Sequence, residues 1–359
     1  MGSLQLPSKP WVETPCIRSA ALSREAGCNI YLKLENLQPS GSFKSRGIGN
    51  LLTQALLAHG PQKPIHFYCA SGGNAGLACA TAAAALGRPA TIVVPTTTSA
   101  TVVAKLRTLG ADVRQEGCQL SEADTYLRTE LLARDPDGVY VPPFDHADVW
   151  DGNATLIEEL EEQMGERGGY DAVVCSVGGG GLFVGLMQAL ERRGRLGGEG
   201  RPVRVLAMET EGAHSLAHSL KNKELSRLPA ITSIATSLGV SQVAQKAFEW
   251  AQRPEATSCV LSDAEAAMAA VRFADDERII VETACAVSIA SAYNGSLSSL
   301  LFPDISPSEF ADLNVVIVVC GGSNVTLQTL EDYKQKYGTD EAVLKKYRAR
   351  KSAVERNKA

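Results

Sequence analysis

Ala172-Val-Val-Cys-Ser-Val-Gly-Gly-Gly-Gly-Leu182 joins a run of β-branched residues to four consecutive glycines, and helical spacing resumes at once over 182–193. A strand this short and this apolar belongs inside a parallel sheet, covered on both faces. Four glycines in a row are costly, because each loses more backbone freedom on folding than any other residue. A segment like this persists where the backbone itself has a task. Its N–H groups, placed at the start of a helix, form a nest for an anion and suit a phosphate monoester. A flexible linker is the plain alternative, and the immediate return of helical sequence speaks against it.

The same strand-then-helix pattern recurs outward from this point. Strand-like runs stand at 31–34, 66–70, 90–94, 203–208 and 315–320, with Ala- and Leu-rich stretches such as 75–86 between them. Alternation of this kind, with short β-branched strands, predicts an α/β fold built on mostly parallel sheets. The length of 359 residues suits two domains.

Two more loops lie between a strand and a helix, the place where open α/β sheets bind ligands. Pro39-Ser-Gly-Ser-Phe-Lys-Ser-Arg-Gly47 is a tight turn of small residues that puts Lys44 at the start of a helix. The positive end of the helix disfavours an ammonium there, and a Schiff-base lysine needs that pressure toward the free amine. A surface turn with a solvated lysine is the alternative. Ser71-Gly-Gly-Asn-Ala-Gly76 permits close backbone approach and offers N–H groups to a carboxylate; an ordinary capping turn is its alternative. Together the three loops supply a lysine, a carboxylate loop and a phosphate nest, the three attachments of an amino acid held on pyridoxal phosphate.

Composition excludes other classes. Apolar residues make up 45% and charged residues 21%, which argues for a packed core rather than disorder. The net charge of −5 does not predict nucleic acid as a partner. No apolar stretch is long enough to predict a membrane span. The N-terminus has neither a secretory nor a transit pattern. Nine cysteines without a CxxC pair, several inside apolar runs, predict reduced thiols and a cytoplasmic setting. The five histidines have no zinc spacing, although His214 and His218 could share one helix face.

The chain resembles the catabolic L-serine/threonine dehydratases of pyridoxal-phosphate fold type II, the group related to tryptophan synthase β, over about residues 12–335. The motifs that carry the resemblance are Gln38-Pro-Ser-Gly-Ser-Phe-Lys-Ser-Arg-Gly47, Ser71 to Gly76, Ser176 to Leu182, Ala207-Met-Glu-Thr-Glu-Gly-Ala-His-Ser215 and Val319-Cys-Gly-Gly-Ser-Asn324. It implies two open twisted α/β domains with the cofactor in the cleft between them. The large one comprises 1–41 and 148–335, the small one 42–147, and a charged C-terminal tail fills 336–359.

The resemblance also implies roles. Lys44 is the catalytic lysine that carries the cofactor. Phe43 covers one face of the pyridine ring, and Ser237 stands against the other, where the mammalian forms have alanine. Asn74 holds the 3′-oxygen, and Gly178, Gly179, Gly180, Gly181 and Leu182 hold the phosphate. Ser71 and Gly72, with Asn74, begin the substrate-carboxylate loop. Cys320 puts a thiol against the pyridine nitrogen. Glu209, Ala213 and Ser215 match a monovalent or divalent cation site, completed by backbone near Leu238 and Val240. A homodimer acting on a small amino acid in amino-acid catabolism follows by the same analogy. Thr283 and Ala286 replace the Pro and Gly of the family's usual run, which bears on substrate preference rather than on reaction class. Serine racemase or a β-replacing synthase is the nearest rival, and a non-catalytic amino-acid-binding protein is a rival from another class. The synthases carry Lys-Asp or similar in place of Lys44-Ser45, and racemases carry serine where Cys320 stands.

Overall fold

The computed structural model describes residues 9–60, 62–197, 201–341 and 343. They form two compact units, one from the described part of 1–13 with 37–155, the other from 14–36 with the described part of 156–359. Of the expected tail, 342 and 344–359 lie outside the described residues. The helix Leu327–Tyr337 runs two residues into the expected tail.

Among the described residues the strands in chain order are β1 Cys16–Ser19, β2 Asn29–Lys33, β3 His66–Ala70, β4 Ala90–Val94, β5 Asp112–Gln115, β6 Gly138–Tyr140, β7 Ala172–Ser176, β8 Arg204–Thr210, β9 Ala256–Leu261 and β10 Asn314–Val318. The first unit holds a four-stranded sheet in the order β5-β4-β3-β6, parallel throughout. Every residue of β4 is buried, as its Ala-Thr-Ile-Val-Val composition requires of a strand covered on both faces. Ile48 and Leu52 from the helix Lys44–His59, Leu77 from the helix Asn74–Ala85, and Phe67 and Ile92 from the strands meet in one core. The Ala-rich helix lets its neighbours approach closely, since alanine adds little beyond the backbone.

The second unit holds six strands in the order β1-β2-β10-β7-β8-β9. The edge strand β1 is antiparallel to β2, and all other pairs are parallel. At the centre, Val316 of β10 pairs with Val173 of β7 on one side and Tyr31 of β2 on the other. All five residues of β7 are buried.

The apolar strands fall within two residues of their expected positions. Four strands have no residue range assigned to them in the sequence, although the β-α-β-α-β-α-β reading of about 45–147 calls for four strands there, β5 and β6 among them. β5 reads Asp-Val-Arg-Gln, β6 has three residues, β1 shows two exposed positions, and β9 is half-buried along most of its length. β10 ends at Val318, so Cys320 stands two residues beyond the strand rather than at its last position. Val319 N–H still donates to Lys33 O at 2.9 Å, which extends the ladder by one bond.

A buried cation holds this edge of the second unit. The Lys33 side chain is fully buried, and its Nζ donates to Thr14 O (2.7 Å), Glu159 Oε2 (2.5 Å) and Gln163 Oε1 (2.9 Å). Gln163 also donates to Thr14 O, so one polar cluster ties the chain entering β1 to the helix that carries Glu159. Removing one partner of a buried ion pair leaves the other charge uncompensated. Lys33→Met, which keeps length but not charge, should therefore lower unfolding free energy by about 3–5 kcal/mol. Urea unfolding measures this, and a loss below about 1 kcal/mol would show that the cluster does not hold β2.

Candidate active site

Each sheet reverses its strand order once. In the first unit β3, β4 and β5 step outward in sequence, while β6 adds on the far side of β3. The crevice at the carboxyl ends of β3 and β6 is the switch point, the natural ligand position in such a sheet. Ser71, Gly72 and Gly73 follow β3, and the helix Asn74–Ala85 begins directly after them. Ser71 Oγ accepts from Gly73 N–H at 3.2 Å. A Cβ at Gly76 would stand 2.0 Å from Ser71 O, so glycine is required for the helix to start this tightly beneath the loop. A Cβ at Gly72 would stand 3.3 Å from Thr98 Cγ2, placing Thr98 beside the loop. Gly73 takes the helix cap position, so Asn74 is the first residue of the helix rather than its cap.

Lys44 opens the helix Lys44–His59. Its Nζ donates to the carbonyl of Pro143 at 2.5 Å and lies 5.3 Å from the ring centre of Phe43. Pro143 belongs to the loop after β6, so the amine is held at the switch point of this unit, half-buried beside an aromatic ring.

In the second unit β7, β8 and β9 step outward, and β10 inserts on the far side of β7. The glycine loop follows β7. Gly180 caps the helix Gly181–Arg192 at φ +90°, a left-handed conformation that side chains rarely adopt. A Cβ there would stand 2.4 Å from Ala247 Cβ, and one at Gly178 would stand 3.0 Å from Leu238 Cα. Ala244 N–H donates to Gly179 O at 3.0 Å. The helix Gly181–Arg192 thus starts directly from a loop that carries no side chains, and Val184 N–H donates to Gly180 O at 2.9 Å. Leu182, on that first turn, is buried.

Cys320 follows β10, beside β7. Its Sγ lies 3.9 Å from Ser176 Oγ, and Ser176 Oγ lies 2.8 Å from Ser288 Oγ. Burial, together with Cys320 beside it, pushes the Cys285 thiol well above its ordinary value. Burial does the same for Cys175. These contacts place the Ser176 hydroxyl and the thiols of Cys285 and Cys175 beside Cys320.

Glu209, in β8, is fully buried. Its carboxylate accepts from Leu216 N–H (2.9 Å) and Ala217 N–H (2.8 Å). Burial pushes its pKa up to about 8 from 4.5, against the lowering effect of those two N–H groups. Ser215 Oγ is buried without a hydrogen-bond partner, and Ala213 bridges to Thr210 close by. Among the described residues no group of three or more His, Cys, Asp and Glu side chains could hold a metal ion. The His214 and His218 rings stand edge-on, 6.4 Å apart.

Two features were not foreseen. The Pro143 carbonyl lies in a loop whose sequence, Pro-Pro-Phe-Asp, carries no catalytic signal. Ser237 Oγ donates to Glu282 Oε2 at 2.5 Å, and Glu282 drew no attention as a site residue. Its one legible signal is a carboxylate directly after the apolar run Ile279-Ile280-Val281.

The family model described as pyridoxal-phosphate dependent enzyme matches residues 8–321, and the chain belongs to that family. The chain is 43% identical over 327 residues to human "L-serine dehydratase/L-threonine deaminase", covering 91% of this chain and 95% of the relative. It is 36% identical to the "Catabolic L-serine/threonine dehydratase" of Saccharomyces cerevisiae, covering 89% of each. The solved fungal L-serine ammonia-lyase from Rhizomucor miehei superposes with a TM-score of 0.82 at 34% identity, over 91% of this chain and 99% of that one. The fold is thus pyridoxal-phosphate fold type II. The residues present fit the cofactor: Lys44 offers an amine at one switch point, and the other offers a helix start whose Gly178 and Gly180 positions leave no room for a Cβ. No described helix is long and apolar enough to cross a membrane.

Gly180 gives this fit a direct test. Gly180→Ala meets both a positive φ, which costs about 1–2 kcal/mol, and the Ala247 contact. The variant should retain pyridoxal phosphate about 10-fold less tightly on dialysis, by the reasoning that a distorted nest loses aligned N–H donors. Gly165→Ala, where a Cβ meets nothing within 4 Å, is the control. Equal retention by both variants would remove the phosphate from this loop.

Proposed function

We propose that this chain removes water and ammonia from L-serine to give pyruvate, and from L-threonine to give 2-oxobutanoate. The observation that carries this reading is Cys320 at the β7/β10 switch point, packed against Ser176 and the thiol of Cys285 rather than against a carboxylate. The names of the human and yeast relatives agree with it. Bound pyridoxal phosphate supplies the electron sink that weakens the Cα–H bond of an attached amino acid.

The chain's own residues do the rest. Lys44 carries the cofactor on its amine and, once displaced by substrate, takes the Cα proton. A base must lie within hydrogen-bond reach of the proton it removes, and a displaced anchor already does. The Pro143 carbonyl and the helix start keep that amine from wandering. N–H groups at Ser71, Gly72 and Asn74 bind the substrate carboxylate at a helix N-terminus, and the Asn74 side chain holds the 3′-oxygen. Gly178, Gly179, Gly180, Gly181 and Leu182 bind the phosphate. Phe43 and Ser237 are residues that would hold the ring. Cys320 would stand toward the ring nitrogen and, being no carboxylate, would offer no anion there to hold a proton on that nitrogen. A ring without that proton would store the negative charge from Cα less well, which would favour prompt departure of the β-hydroxyl, leaving with a proton as water, over reprotonation at Cα. Water hydrolyses the released enamine to the 2-oxo acid and ammonia.

A cation at Glu209, Ala213 and Ser215 belongs to the same reading. Its support is the buried carboxylate, which has lone pairs beyond those used by two N–H groups, and the orphaned Ser215 Oγ. A cytoplasmic homodimer also belongs to it, supported by resemblance alone; light scattering on the purified protein tests the dimer.

Lys44→Ala should lose the borohydride-sensitive yellow band and lower pyruvate formation at least about 1000-fold, since base and anchor vanish together. Product analysis with L-serine, L-threonine and D-serine accompanies it. A variant that keeps parental turnover, or a parent that converts L-serine mainly to D-serine, would sink the proposal.

For the cation, chelation and exchange followed by addition of potassium or magnesium should raise the parent's Tm by about 2–4 °C, as a ligand that binds the folded state must. Glu209→Gln should abolish that gain. A parent whose Tm and activity ignore every ion supplied has no site there.

A further inference from the structure

Ser176 ends β7, and Ser288 lies in the helix Thr283–Tyr293, which is buried along its whole length. A serine inside a helix commonly turns its hydroxyl back to a carbonyl of the preceding turn. Ser291 does so, donating to Ser288 O at 2.6 Å. The Ser288 hydroxyl instead meets Ser176 Oγ at 2.8 Å, across 112 residues of sequence. Ser176 Oγ in turn lies 3.9 Å from Cys320 Sγ. Ser288 is fully buried, whereas Ser176 and Cys320 keep 8% and 7% of their surface. The three groups thus form a row within the second unit, from beneath the sheet to the carboxyl edge of β7 and β10.

Counting protons gives the row a direction. Each hydroxyl or thiol has one proton to give and lone pairs that accept. Among the described residues the Ser288 proton has Ser176 Oγ as its acceptor, and a fully buried donor left unpaired is costly. Ser288 therefore donates to Ser176, and Ser176 passes its own proton to Cys320 Sγ. The proton left over is the thiol's. It is the cheapest of the three to leave without a protein acceptor, because S–H is the weakest donor. The Cys285 thiol on the other side competes poorly for it. Burial and Cys320 beside it raise that thiol's pKa, while the N–H groups of Gly321 and Cys320 draw it down, so its lone pairs are already engaged. We infer that Ser288 and Ser176 are positioning residues of the reaction: their hydroxyls are spent toward Cys320, and this turns the Cys320 S–H outward as a hydrogen-bond donor to the pyridine nitrogen. The inference deepens the reading above that Cys320 stands toward that nitrogen, and rests on it.

Four variants separate this role from simple packing. Ser176→Ala removes the link between helix and thiol. Ser288→Ala removes the inner donor, so the thiol proton can turn to Ser176 Oγ instead of outward. Ser291→Ala is the control, since this serine is equally buried in the same helix and its hydroxyl bonds a carbonyl of that helix. Cys320→Ala marks the end point, a ring nitrogen that receives no donor from this position.

The test uses the holoenzyme carrying pyridoxal phosphate isotopically labelled at the ring nitrogen, and reads the NMR shift of that nitrogen together with kcat and KM. The parent should show an unprotonated nitrogen that accepts a hydrogen bond, and Cys320→Ala should move the shift toward that of a nitrogen without one. Ser176→Ala and Ser288→Ala should move it the same way by smaller steps. Each should lower kcat about 3- to 10-fold, the scale of one ordinary hydrogen bond, with KM for L-serine within about 2-fold. Ser291→Ala should keep the parental shift and kcat. In the Ser176→Ala background, Ser288→Ala should change kcat no more than about 2-fold, because the two act through one row. Effects that multiply in the double variant would overturn the inference, as would a Ser291→Ala shift equal to that of Ser288→Ala. A nitrogen that responds to Cys320→Ala and ignores Ser176→Ala sinks this inference alone, and that result stands even if Ser288→Ala does not fold. A nitrogen that ignores Cys320→Ala sinks the reading beneath it as well.

Discussion

Parallel strands cannot follow one another through a tight turn. Each needs a crossover back to its starting edge, and the crossover helix covers a face of the sheet. Everything at the carboxyl edge of these two sheets descends from that constraint. Strands must be apolar on both faces, so polar chemistry is expelled to the loops at their ends. Helices start there, so N–H groups without an intrahelical partner collect on the same edge. Where strand order reverses, neighbouring crossovers go to opposite faces and leave a crevice. β3 and β6 make one such place and β7 and β10 the other. Lys44, anchored to the loop after β6, and the glycine run after β7 each occupy one of them.

Small residues at these places have separate reasons. Gly76 is needed because a helix begins almost on top of the preceding carbonyl. Gly180 is needed for a left-handed cap pressed against Ala247, and Gly322 for a turn pressed against Glu282. In each case the backbone rather than a side chain approaches its neighbour. That is the arrangement that aims N–H groups at a bound anion.

This explains what could be read from the residues alone. The three loops at 39–47, 71–76 and 176–182 are legible because their signals are local: small residues between an apolar run and a helical one. Buried strands such as β4 and β7 are legible for the same reason. β5, with Asp112, Arg114 and Gln115, takes its pairing from β4 alone, and nothing local marks it as a strand. β9 gains its identity from six paired positions on β8 rather than from its own pattern. The Ser237–Glu282 bond spans 45 residues, and the Lys44–Pro143 bond spans 99. No spacing rule connects such positions, and only the folded sheet brings them together.

The ionisable groups buried in these units have a common use. Lys33 ties the entry of β1 to a helix, and Glu209 receives the first N–H groups of the helix Ser215–Asn222. Glu282 joins two loops that share no strand. A buried charge is poor at adding stability, because desolvation offsets most of what pairing returns. It is good at refusing alternatives, since a loop that shifts leaves the charge without partners. An apolar contact tolerates a displaced loop far better than a two-donor carboxylate does. Sites that must hold a reacting bond at a set angle need that intolerance more than they need extra stability. The residues around Cys320 answer the opposite need: Ser176, Ser288 and Cys285 give it neighbours that carry no charge. Fixed charge is therefore placed where it ties loops and helix starts together, while Cys320 has a hydroxyl and thiols beside it.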